Sequence, residues 1–333
     1  MTGGERRTVL LFPGIGSVVP GSLGDCADPR AARALLERAA APLPAAAADA
    51  LAELLLAGRA PRDGRASRDG RTAPEDRMPR DGRASPGDRT PPAESELIDQ
   101  LACYVQALAW YRLTPWPPGT LLLGHSLGEL AAFAAAGVFE PADGVRLLLA
   151  CDRARRETGA GPGRLLVLRL PADRAAALLA DSRLPGLAVA CDNGPEQTVV
   201  SGPPESIEAL GARAAAAGVR ATRLATRTLF HNPALRPAAR RVRELTAHLV
   251  HRPAERPVLC MLTGRRYRSA ADFRAGATHH LSEPVPFRRR IEQLRAVGAV
   301  ELTELGPRQL LSRLARQDQG SRAGANPGAA KLG

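Results

Sequence analysis

The stretch Thr120-Leu-Leu-Leu-Gly-His-Ser-Leu-Gly-Glu-Leu-Ala-Ala-Phe-Ala-Ala-Ala-Gly137 decides the fold. Its opening apolar run is too short for a helix and reads as a buried strand. Its second half is rich in Ala and Leu, strong helix formers, and stops at Gly137. Between them lies Gly124-His125-Ser126-Leu127-Gly128, a G-x-S-x-G pattern in the strand-to-helix setting of a nucleophile elbow. A turn tight enough to push a serine hydroxyl clear of the backbone leaves no room for side chains two residues before or after it. The helix that follows aims its N-terminal N–H groups at the serine, where they stabilise developing negative charge. Ser126 is therefore the expected nucleophile.

The chain of 333 residues, 44% of them hydrophobic, is long enough for one large domain or two modest ones. No run reaches the ~18 consecutive apolar residues that a membrane span needs. The first apolar segment, Thr8 to Phe12, ends at once in Pro-Gly and reads as a first strand, not a signal peptide. Five cysteines (Cys26, Cys103, Cys151, Cys191, Cys260) are scattered without C-x-x-C spacing, so neither a disulfide framework nor a metal site is expected, and a cytoplasmic location fits. The net charge of +12 comes with only 3% aromatic residues, which argues against a nucleic-acid binder. A basic surface suits an acidic protein partner instead.

Outward from the elbow, Thr8-Val-Leu-Leu-Phe-Pro-Gly-Ile-Gly-Ser17 reads as a strand running into a ligand-binding turn. Ala31 to Leu56 reads as helix broken at Pro42 and Pro44. From Gly58 to Ala93 large apolar residues almost vanish, and Arg-Asp-Gly-Arg recurs at Arg62, Arg68 and Arg80, the pattern of a low-complexity disordered insertion. Residues 163–227 alternate as β-α-β-β-α-β, the order of a ferredoxin-like subdomain. The expected fold class is α/β: a hydrolase-like body (1–57, 94–162 and 228–318) with a parallel sheet and the elbow, an inserted ferredoxin-like subdomain, and a disordered tail from 319 to 333.

A serine nucleophile needs a base, most often histidine. His125 sits in the elbow turn and points away from Ser126. His248, His251, His279 and His280 fall in arginine-rich or polar stretches and read as surface residues. His231, in Thr228-Leu-Phe-His-Asn-Pro233, lies where the subdomain chain re-enters the body, and it is the expected base.

With these motifs in hand, the chain resembles the malonyl-CoA:acyl carrier protein transacylase family, the acyltransferases of fatty-acid and polyketide synthesis. The resemblance rests on Phe12-Pro-Gly-Ile-Gly-Ser17, Gly124-His-Ser-Leu-Gly-Glu129, Asn193-Gly-Pro with Val200-Ser-Gly-Pro203, Phe230-His-Asn-Pro233 and Leu305-Gly-Pro307, in that order. It implies a ping-pong acyl transfer through an ester on Ser126, with His231 moving the proton. No bound cofactor is implied: acyl-CoA and a phosphopantetheinylated acyl carrier protein are substrates, and the carrier is the acidic partner. It further implies that backbone N–H groups of Ile15 and Leu127 form the oxyanion hole and that the Met261 carbonyl orients His231. Gln100, His125, Cys151, Arg153 and Phe230 fall in the substrate pocket.

Two departures stand out. Ile15 replaces the glutamine of the motif, and Cys151 replaces the arginine that pairs with the malonyl carboxylate. A thiol does not replace a bidentate arginine, and Arg153 falls on another side of the helix. A starter or monoacyl unit is therefore the expected cargo, although Phe230 before the histidine matches malonyl-type members. A malonyl transacylase proper, an editing hydrolase and an inactive carrier-docking scaffold remain the alternatives.

Overall fold

The computed structural model describes residues 7–57, 93–270, 272–273, 279–298 and 300–323. The expected insertion therefore lies outside the described residues except for Ala93, which opens a helix. Of the expected tail, residues 319–323 instead continue the last helix, and the remainder lies outside the described residues.

The body is built on four parallel strands, β1 (Arg7–Phe12), β2 (Leu121–Gly124), β7 (Val258–Leu259) and β8 (Val300–Glu304), in the order β7-β2-β1-β8. All four residues of β2 are buried, as are Val9 to Phe12 of β1. Strands covered on both faces need such uninterrupted apolar runs. Helices α1 (Pro29–Ala40), α2 (Ala45–Ala57), α3 (Ala93–Leu113), α4 (Gly128–Ala135) and α5 (Pro141–Glu157) follow. From Leu101 to Ala109 α3 is buried on every side, which makes it the central helix of the core. The buried Gln106 within it accepts from Val19 N and Ser22 Oγ and donates to Ser17 O, so it pins the loop after β1.

A second, antiparallel sheet holds β3 (Arg164–Leu168), β4 (Ala188–Gly194), β5 (Gln197–Gly202) and β6 (Ala221–Arg223) in the order β4-β5-β3-β6. Helices α6 (Ala172–Ser182) and α7 (Pro204–Ala216) complete its β-α-β-β-α-β sequence. The α/β fold class is as expected: a parallel sheet and a separate antiparallel one. Two strands are shorter than their apolar runs suggest. Val219 N bonds Ala214 O to close α7, leaving β6 three residues. Gly264 N bonds Cys260 O in a turn that ends β7 after two residues.

The chain returns to the body through α8 (Arg236–Leu245), α9 (Phe287–Ala296) and α10 (Leu310–Ala323). Among the described residues no helix is long and apolar enough to cross a membrane.

Candidate active site

The elbow forms at the carboxyl end of β2, where open parallel sheets place their ligands. A Cβ on Gly124 would lie 2.2 Å from the Glu129 backbone nitrogen, and one on Gly128 2.2 Å from the Phe12 carbonyl oxygen. Only glycine lets the turn close and α4 seat against β1. Ser126 itself has φ 53°, a left-handed conformation that a non-glycine residue holds only when its surroundings enforce it.

His231 has the same kind of backbone, φ 49°. The next residue holds it: Asn232 Oδ1 accepts from Ala234 N at 3.0 Å, while its Nδ2 donates to Gly186 O at 3.0 Å and Ser201 Oγ at 3.1 Å. The ring places Nε2 2.7 Å from Ser126 Oγ and Nδ1 3.2 Å from the Glu283 carbonyl oxygen. A carbonyl only accepts, so Nδ1 carries the hydrogen, and in the neutral ring Nε2 is the acceptor for the serine hydroxyl. Burial, reinforced by nearby His280 and His125, lowers the His231 pKa to about 3. The ring is therefore neutral at neutral pH, the state a general base requires.

The backbone N–H groups of Ile15 and Leu127 donate to no other backbone group of the described residues. Both residues line the same pocket as Ser126 and His231, and so do Gln100, Cys151 and Phe230. That geometry leaves two N–H donors beside the nucleophile for a developing oxyanion.

Three expected site residues are placed differently. The carbonyl facing His231 is that of Glu283, not Met261, whose oxygen accepts from the buried Arg290 Nε at 2.6 Å. His125 does not line the pocket. Its Nε2 lies 2.8 Å from Asn193 Oδ1 of β4, and its ring packs edge-on against Phe287, which ties the antiparallel sheet to the elbow. Arg153 points to solvent, with 58% of its side chain exposed and Nε donating to Glu157 Oε1 at 2.5 Å.

Two pocket residues carry no signal in the motifs. His280, expected at the surface, has its ring centroid 5.4 Å from that of His231 and its Nε2 2.7 Å from Glu129 Oε2. Glu129 is fully buried, and its Oε1 accepts from Met261 N at 2.5 Å. Arg155 is 8% exposed, lines the pocket, and sets its guanidinium carbon 5.4 Å from the Phe230 ring centroid. The helical i, i+4 spacing from Cys151 is the pattern that points to it.

A serine elbow, a histidine facing a backbone carbonyl and two backbone N–H groups with no backbone acceptor among the described residues thus meet on an α/β body. Residues 117–328 match the model of the acyl transferase domain, and the chain belongs to that family. A non-reducing polyketide synthase of Ustilaginoidea virens, ustP, is 30% identical over 231 residues, 66% of this chain and 11% of that protein. The chain thus spans about a tenth of the length of that relative. The malonyl CoA-acyl carrier protein transacylase of Burkholderia pseudomallei superposes with a TM-score of 0.73 at 26% identity, covering 97% of this chain and 100% of that one. A type II polyketide synthase acyl-carrier protein in complex with its malonyl-transacylase gives 0.72 at 23% identity, covering 94% and 93%.

Proposed function

We propose that this chain transfers an acyl group from a coenzyme A thioester to the phosphopantetheine thiol of an acyl carrier protein, through an ester on Ser126. The observation that carries this reading is the Glu283 O, His231, Ser126 relay, with contacts of 3.2 and 2.7 Å. As Ser126 Oγ bonds the thioester carbonyl carbon, its proton passes to His231 Nε2. The carbonyl oxygen turns anionic beside the Ile15 and Leu127 N–H groups. Collapse of the intermediate breaks the C–S bond, and His231 returns the proton to the departing sulfur. The carrier thiol then repeats the sequence in reverse and takes the acyl group off the serine.

The carrier protein as partner is supported by the net charge of +12 and by the exposed Arg236, Arg240 and Arg243 of α8, the helix that follows the His231 loop. The sequence-based expectation of a monoacyl cargo rests on the absence of a cation at Cys151. That ground is weakened by Arg155, a cation on the same pocket wall.

The test is a chase of the acyl-enzyme. After loading from an acyl-CoA, a phosphopantetheinylated carrier or free pantetheine should clear the ester much faster than buffer does. Loss to water at the same rate would make the protein an editing hydrolase. Carrier binding without any ester would make it a docking scaffold.

A further inference from the structure

The chain crosses between the body and the antiparallel sheet twice, leaving before β3 and returning after β6. The two crossings touch. Pro162 pairs antiparallel with Thr228, and Gly163 N donates to Arg227 O at 2.8 Å. A Cβ on Gly163 would lie 2.5 Å from Leu229 Cα, so a side chain there would force the crossings apart. Three residues beyond Thr228 stands His231.

Glu96, near the start of α3, grips the returning crossing. The residue is 5% exposed, and its carboxylate gathers three donors from three successive residues. Oε1 accepts from the Thr226 hydroxyl, while Oε2 accepts from Thr228 Oγ1 at 2.7 Å and from Arg227 N at 3.3 Å. Thr226 Oγ1 in turn accepts from Thr228 N at 3.2 Å, which closes the cluster. A buried carboxylate is costly unless it is bonded in this way, so the cluster holds together or is lost as a unit. One turn along α3, Gln100 Nε2 donates to Glu96 O at 3.3 Å, and Gln100 lines the pocket of Ser126 and His231.

We propose that Glu96 is a positioning residue for His231: by fixing Thr226, Arg227 and Thr228 to the central helix of the body, it sets where Phe230 and His231 enter the pocket. Glu96 lines no part of that pocket and acts only through the crossing. Between Thr228 and His231 lie only Leu229 and Phe230, both buried, so the loop has little slack. His231 has a left-handed backbone that its surroundings must enforce. The bonds of Asn232 to Gly186 and Ser201 enforce it from the C-terminal side, and the Glu96 cluster enforces it from the N-terminal side. This role rests on the acyl-Ser126 reading above, because it is a role in aligning the base of that reaction.

The experiment follows Ser126 acylation by intact-protein mass over time, at limiting and saturating thioester and from pH 5 to 8. It uses whichever of malonyl-, acetyl- and propionyl-CoA loads wild type fastest, with Ser126→Ala as control and urea denaturation of every variant. Glu96→Leu keeps most of the volume and removes both acceptors. Its saturating rate should fall by about a hundredfold, the scale of a misplacement of about 1 Å, with little change in the half-saturating concentration. A ring freed from its buried seat also regains water, so a limb should appear between about pH 5 and 6.5, the rate falling as pH drops through it. The charged and titratable groups around that ring are untouched by the substitution: His280 with Glu129, His125, Arg155, and the Arg236–Glu283 pair. Glu96→Gln should lie near wild type, since its amide oxygen can serve Arg227 N and Thr228 while its NH2 group donates to the Thr226 hydroxyl. Thr228→Val, which removes one donor at equal size, should fall between Gln and Leu. Glu96→Leu combined with Asn232→Ala should lose less than the product of the two single losses, because both release one loop. A folded Glu96→Leu protein with the wild-type rate and a flat pH profile overturns the proposal, and so does a double variant whose loss equals that product. If Glu96→Leu does not fold, a wild-type rate in Thr228→Val overturns it. Absence of any Ser126-dependent adduct on wild type would instead remove the acyl-transfer reading on which this rests.

Discussion

Asn232→Ala is the perturbation that most directly links the packing of this protein to its chemistry. The side chain is 2% exposed and ties three places together: the turn it caps at Ala234, the Gly186 carbonyl and Ser201 of β5. Loss of a capping acceptor costs about 0.5–2 kcal/mol. Leaving buried acceptors unpaired adds about 1–3 kcal/mol. A total near 2–4 kcal/mol of lost stability is expected in urea denaturation, since the contributions overlap at one side chain. The functional effect should be larger than the stability loss implies. His231 keeps its left-handed backbone between Asn232 and Phe230, and releasing one side lets the ring drift from Ser126 Oγ. A displacement of about 1 Å costs on the order of a hundredfold in rate. Asn232→Ser, which retains a capping oxygen but loses the Nδ2 donors, should fall between wild type and Ala in both assays. If Asn232→Ala lies within about 0.5 kcal/mol of wild type, the range of an ordinary surface substitution, and acylates at the wild-type rate, the anchoring of the His231 loop to Gly186 and β5 does not hold the base.

Three further outcomes are expected from this geometry. With the His231 pKa lowered to about 3, the acylation rate should stay flat between about pH 8 and 5, and a limb near the ordinary histidine value of about 6.5 would contradict this. The unfolded chain binds that proton more readily, so His231 should subtract stability as pH falls from about 6.5 towards 3, read by denaturation across that window. Gly128→Ala should lose about 3 kcal/mol or more, or fail to fold, because the added methyl meets the Phe12 carbonyl oxygen at 2.2 Å. Wild-type stability in that variant would mean that α4 is free to shift.

Ser126 and His231 were legible in the sequence because their settings are local. Flanking glycines announce the elbow, and the Phe-His-Asn-Pro run announces the base. The antiparallel sheet was legible from its alternation of short apolar runs. The Glu283 carbonyl was not, because a backbone oxygen carries no residue signature, and its approach depends on Val285 pairing along the edge of β4 with Ala190 and Asp192. His280 was hidden for the same reason: its polar neighbours suggested solvent, whereas the loop folds it against the buried Glu129. Arg155 carries no motif signal, and Arg153 is the arginine nearest Cys151 in sequence. Two residues turn a helix by about 200° and four by about 400°, so Arg155, not Arg153, shares the face of Cys151.

An ester at Ser126 is the chemical event on which the acyl-transfer reading depends. Intact-protein mass after mixing with malonyl-CoA, on wild type and Ser126→Ala in parallel, measures it directly. One acyl adduct on wild type, none on Ser126→Ala, and its disappearance on adding a phosphopantetheine thiol are expected. An adduct that persists on Ser126→Ala, or a wild-type protein that stays unmodified by malonyl-, acetyl- and propionyl-CoA alike, would contradict it.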